Sequence, residues 1–111
     1  MFNVFERTKP YADLHSADFE KELKNNKDAV LIDVRTKGEF AGGKIPGAIN
    51  IDLMSPDFQS RIASLDKAKT YLVYCHSGNR SGQACKILAS KGLKSANLAG
   101  GIISWRGAIG N

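Results

Sequence analysis

Long apolar runs are missing from this chain of 111 residues: none approaches the roughly 20 that a membrane span requires. The opening stretch, Met1 to Pro10, has no apolar core followed by small residues, so it does not read as a secretory signal. A cytoplasmic location is expected, with the periplasm as the alternative if a signal segment precedes the sequence. Cysteine is scarce too, limited to Cys75 and Cys85. The first ends an expected strand and the second lies about a turn into the next helix, so the pair is not placed to staple a small fold. Neither belongs to a C-x-x-C pair and His76 is the only nearby histidine, so no metal is expected. Basic residues outnumber acidic ones 16 to 11 but form no dense run. That argues for a solvated surface rather than a nucleic-acid face, while still favouring small anionic substrates. Repeats, linkers and low-complexity stretches are also lacking. One domain over residues 1–111 is expected, with 1–10 as an extended N-terminal segment.

What is present is an alternation of strand and helix signals. Tyr11–Leu14 reads as a weak first strand, and Ser16 as the cap of a helix from Ala17 to about Lys24, with Phe19 and Leu23 on one face. Ala29–Asp33 is a continuous apolar run, the pattern of a strand buried on both faces. Thr36 and Glu39 form a capping box for a short helix that Gly42-Gly43 stops. A turn at Ile45-Pro46-Gly47 leads to a third strand ending at Ile51. Ser55-Pro56 predicts a helix start, with that helix running to about Ala63. Thr70–Tyr74 is the fourth strand, Ser81–Lys91 a helix stopped by Gly92, Ser95–Leu98 the fifth strand, and Ile102–Arg106 a short last helix. The pattern predicts an α/β fold around a mainly parallel sheet, with any site beyond the carboxyl ends of the strands. Asp33 and Cys75 both end strands and should share that rim.

Chemistry concentrates at Tyr71-Leu-Val-Tyr-Cys-His-Ser-Gly-Asn-Arg-Ser81. A cysteine at the end of an apolar strand, followed by a polar loop and a helix start, has loop amides and a helix N-terminus available to hold negative charge on sulfur. That is the environment of a thiolate nucleophile or an anion cradle. Cys85, on an inward helical stripe without polar neighbours, reads as core. Arg80 can point into the cradle and clamp an anion, or turn outward and pair with an acid. Asp33, Arg35 and Glu39 offer a network that holds the loops together, a contact to substrate, or both. Trp105 reads as a lid or core aromatic.

These residues fall into a known pattern. Leu31-Ile-Asp-Val-Arg35, Glu39-Phe40, Ile45-Pro-Gly-Ala-Ile-Asn50, Val73-Tyr-Cys-His-Ser-Gly-Asn-Arg-Ser81 and Leu98-Ala-Gly-Gly-Ile102 with Trp105 resemble, in order, the single-domain rhodanese-like sulfurtransferases. The match runs from about Leu14 to Gly107. The resemblance implies a five-stranded mainly parallel sheet flanked by helices on both faces, and an active-site loop from Cys75 to Arg80. It implies Cys75 as the catalytic nucleophile, with Arg35, His76, Ser77, Gly78, Asn79, Arg80 and Ser81 as substrate-binding residues. The implied reaction carries sulfane sulfur from a small donor anion such as thiosulfate, through a Cys75 persulfide, to a thiol or cyanide. A protein donor or acceptor is the alternative, the chain then serving as a persulfide carrier with little turnover of small donors. No cofactor, nucleic acid or membrane is implied. Phosphatase and arsenate-reductase relatives use a C-x5-R loop that admits a tetrahedral oxyanion; the C-x4-R spacing here favours sulfur. The best thiosulfate users carry basic residues directly after the cysteine, where this chain has His76 and Ser77.

Overall fold

In the computed structural model, which describes residues 9–111, five strands form one sheet in the order β1-β5-β4-β2-β3, every pairing parallel. In chain order the elements are β1 (Ala12–Leu14), α1 (Ser16–Asn25), β2 (Ala29–Asp33), α2 (Lys37–Ala41), β3 (Ile49–Asn50), α3 (Phe58–Ala63), β4 (Thr70–Tyr74), α4 (Asn79–Ser90) and β5 (Lys94–Leu98). A single 3-10 turn, Ile102–Ser104, follows. The expected extended segment at 1–10 lies, apart from Lys9 and Pro10, outside the described residues. Among those residues no helix is long and apolar enough to cross a membrane.

The apolar runs at 29–33 and 70–74 become the two innermost strands because side chains alternate across a sheet and both faces of theirs are covered. Tyr71, Val73 and Cys75 point to one face, where they pack with Phe58 and Ile62 of α3 and Ala84, Cys85 and Leu88 of α4. Leu72 and Tyr74 point to the other, against Phe19 of α1, Leu31, Ile45 and Leu98, with Trp105 closing the edge. Leu72, Val73, Phe19 and Leu98 are wholly buried, each such side chain contributing about 1.5–3 kcal/mol. Trp105 meets Phe19 edge-on, ring centroids 6.0 Å apart, and so serves the core beneath the last turn.

Several helix boundaries differ from the sequence reading. The cap of α1 is His15, and Ser16 lies inside the helix, where its hydroxyl accepts the Arg106 N–H at 2.9 Å. Ser16 was drawn away from capping by a partner 90 residues distant. Helix α3 starts at Phe58, not at Pro56: the Ser55 hydroxyl bonds the Asp57 carboxylate, and residues 52–57 form a turn instead. Helix α4 starts two residues early, at Asn79, because Gly78 takes the left-handed conformation (φ 106°) and turns the chain straight into the helix. The expected last helix shortens to the 3-10 turn, stopped where Trp105 becomes extended. The Thr36–Glu39 capping box forms as read.

Candidate active site

Cys75 is the residue after β4, at the carboxyl end of the central strand. It is held from below: the Val34 N–H bonds the Tyr74 carbonyl, and the Ile102 N–H bonds the Cys75 carbonyl at 2.9 Å. Loop residues 76–78 then fold over the sulfur and α4 begins. The floor of the loop is the backbone of Gly100-Gly101. Gly101 sits at φ 68°, ψ −167°, a region open essentially to glycine alone, and a Cβ there would overlap the His76 carbonyl and the Ser77 nitrogen.

The sulfur is almost wholly buried and accepts the Gly78 N–H at 3.0 Å, with the Ser81 Oγ at 3.3 Å. Burial alone would push the thiol up. The Ser81 hydroxyl and the N–H groups of Ser81, Gly78 and Ser77 more than offset that, so the thiol is held below its ordinary value. Cys85 shows the contrast. It too is buried, but without an amide cradle, and desolvation, only partly offset by the Ser95 hydroxyl, pushes it up to about 12. Both cysteines are free. The two buried cysteines are thus shifted in opposite directions, the Ser81 hydroxyl and the loop amides holding one down where desolvation pushes the other up.

The other residues expected at the site divide into two groups. His76, Ser77, Gly78 and Asn79 lie in or beside the loop, with His76, Ser77 and Asn79 exposed at its mouth and Ser81 buried beneath the sulfur. The two arginines are committed elsewhere. Arg80 turns outward and grips Glu39 with both terminal nitrogens, at 2.7 and 3.0 Å. Arg35 is buried with the fully enclosed Asp33, its Nη2 2.7 Å from Asp33 Oδ2 and 2.7 Å from the Gly43 carbonyl oxygen, its guanidinium over the Tyr74 ring. The Asn50 amide donates to the carbonyls of both Asp33 and Arg35. This second group ties β2, β3 and the 36–45 loop together behind the cradle.

Sequence reading missed Asn97. It sits on β5 between the buried Ala96 and Leu98, where the pattern suggests only another strand residue, yet it touches two parts of the cradle: Oδ1 accepts the Ser81 hydroxyl, and Nδ2 lies 3.3 Å from the Gly78 carbonyl oxygen. A polar amide inside a buried strand was the available signal, since such a group is rarely buried without a partner.

Comparison with known proteins agrees with this geometry. Residues 16–108 match the rhodanese-like domain. YtwF of Bacillus subtilis is 36% identical over 95 residues, covering 86% of this chain and 90% of that protein. A sulfurtransferase of Allochromatium vinosum is 35% identical, covering 84% of this chain and 86% of its own. Among solved structures, a rhodanese-related protein of Thermoplasma volcanium superposes with a TM-score of 0.79 at 30% identity, over 90% of this chain and 98% of that one.

Proposed function

The chain belongs to the rhodanese-like family, and from that premise we propose that it is a single-domain sulfurtransferase working through a Cys75 persulfide. The observation that carries this reading is the sulfur itself: buried, lowered in pKa, and seated among the Gly78 amide, the Ser81 hydroxyl and the start of α4. The thiolate attacks the outer sulfur of a donor such as thiosulfate. The sulfur–sulfur bond of the donor breaks, sulfite leaves with the electron pair, and the sulfane sulfur remains on Cys75 as a persulfide. An acceptor thiolate, or cyanide, then attacks that outer sulfur and restores the Cys75 thiolate. Loop amides already oriented inward stabilise the charge in both steps without having to reorganise. The loop from Cys75 to Arg80 is six residues long, a size that suits one sulfur better than a tetrahedral oxyanion.

A specific observation favours the carrier version of the same chemistry. Arg35 and Arg80 are both occupied by carboxylates, and the exposed mouth of the loop is His76, Ser77 and Asn79. Among the described residues a donor sulfonate therefore finds no uncommitted arginine there, whereas a partner protein could present its persulfide to an open mouth. Intact-mass spectrometry after thiosulfate treatment, then cyanide, tests both. A gain of one sulfur confined to protein with Cys75 intact, and discharged by cyanide, supports sulfur transfer from the small donor. No gain from thiosulfate but a gain from a persulfidated protein donor supports the carrier. No gain from either sinks the proposal.

A further inference from the structure

Every polar atom of the Asn97 side chain is engaged. Nδ2 donates to Asp13 Oδ1 at 3.0 Å and to the Gly78 carbonyl at 3.3 Å, leaving Oδ1 to accept the Ser81 hydroxyl in a short hydrogen bond. Asp13, half-exposed and paired with Lys9, is a carboxylate and can only accept, so it fixes which end of the amide faces Ser81. The Ser81 oxygen is at the same time 3.3 Å from Cys75 Sγ. A hydroxyl has one proton. Two acceptors, the Asn97 carbonyl and the Cys75 sulfur, contend for it.

We propose that Asn97 is a positioning residue for Cys75, holding the Ser81 hydroxyl proton while the sulfur is uncharged and releasing it when the sulfur is a thiolate. As a thiol, Cys75 donates its own proton to Ser81 Oγ and Ser81 donates to Asn97. Once that thiol proton has left for solvent, the Ser81 hydroxyl turns to the sulfur and the Asn97 bond is given up. In the persulfide, an extension that rests on the sulfur-transfer reading, the charge has moved to the outer sulfur and the hydroxyl returns to Asn97. The cradle thus combines fixed donors, the loop amides, with one that answers to the charge on Sγ. Asn97 tempers the thiolate, keeping the nucleophile from being over-stabilised at rest.

Of the other ionisable groups, Arg80 and Cys85 on α4 interact electrostatically with Cys75; His76 follows it in the loop, Asp33 with Arg35 stands at the end of β2, and Asp13 bonds Asn97 beside Tyr11. Replacing Asn97 by an apolar residue leaves all of them in the chain, so a change in the sulfur can be traced to the hydroxyl. The experiment is iodoacetamide alkylation of the Cys75 peptide against pH, followed by mass spectrometry, in the parent, Asn97→Leu, Ser81→Ala and the double variant. Asn97→Leu removes the competing acceptor and should lower the alkylation midpoint by about 0.5–1 pH unit, with Ser81→Ala raising it by a similar amount. In the Ser81→Ala background Asn97→Leu should have no effect. An unchanged or raised midpoint in Asn97→Leu overturns the proposal, as does a shift that survives without Ser81. Asp13→Asn, at a half-exposed position, serves if Asn97→Leu does not fold: it unpins the amide and should lower the midpoint, in part through Ser81. A shift equally large in the Ser81→Ala background overturns the proposal there too. Alkylation needs no sulfur donor, so this result stands apart from whether the chain transfers sulfur.

Discussion

Arg80 reaches back 41 residues to hold Glu39 in a two-pronged pair at 2.7 and 3.0 Å, while the same carboxylate closes the capping box on Thr36. One acid thus ties the end of the loop from Cys75 to Arg80 to the start of α2. The sequence leaves Arg80 free to face in or out; the structure turns it out. Its negative partner explains why a cation is tolerated in the first turn of α4, where it opposes the helix dipole.

The Arg80 hydrogen bonds, opposed by partial burial, draw the Glu39 carboxyl from 4.5 to about 2. A carboxyl lowered by folding stabilises fully above its unfolded value, and that stabilisation disappears as pH falls through the folded one. Glu39→Gln should therefore be less stable than the parent at neutral pH by about 1 kcal/mol, the pair being partly screened by solvent. The gap should close between pH 4.5 and 2. Urea unfolding at a series of pH values measures it, and a gap that stays constant through that window would count against the pairing.

Cys75→Ser should abolish sulfur loading with the fold retained. Cys85→Ser should keep transfer at near the parent rate and cost about 1 kcal/mol or less, since the new hydroxyl has the otherwise unpaired Ser95 hydroxyl beside it. Sulfite release and thermal melts separate the two effects. Equal activity in the Cys75→Ser protein would remove the nucleophile.

Gly101→Ala and Gly47→Ala test the floor of the cradle. Both glycines have positive φ, but a methyl group at Gly47 meets nothing within 4 Å, whereas at Gly101 it overlaps the His76 backbone. Gly47→Ala should cost about 1–2 kcal/mol of conformational strain. Gly101→Ala should lower the melting temperature by about 10 °C or more and abolish loading in whatever remains folded. Comparable losses at both sites would mean that the loop does not rest on that backbone.

Arg35→Ala leaves Asp33 charged, enclosed and unpaired, a change worth about 3–5 kcal/mol. Arg35→Lys should recover only part, because an ammonium cannot reproduce the two-pronged contact. Urea midpoints decide, and a loss under about 1 kcal/mol would mean that water or another cation replaces the arginine.

Much of the fold was legible because its signals are local. The continuous runs at 29–33 and 70–74, the Thr36–Glu39 capping box and the glycine after α4 each act within a few residues. So does the loop that marks Cys75. What escaped depends on partners remote in sequence. Ser16 has the chemistry of a cap but spends it on Arg106; Asn97 matters only because folding sets it between Asp13, Gly78 and Ser81. Side-chain hydroxyls and amides were read least well, since each has several possible partners and only the tertiary fold chooses among them.

The strand that delivers Cys75 is bonded on both sides, by β2 and by β5, while the sheet ends in a two-residue strand on one edge and a three-residue strand on the other. Transient opening begins at such edges and reaches a central strand only with loss of the whole structure. Amide hydrogens of Leu72 and Val73 should thus exchange at the rate of global unfolding, with those of Asn50 and Asp13 exchanging far sooner. The margins of the molecule can breathe while the strand beneath the sulfur stays in register.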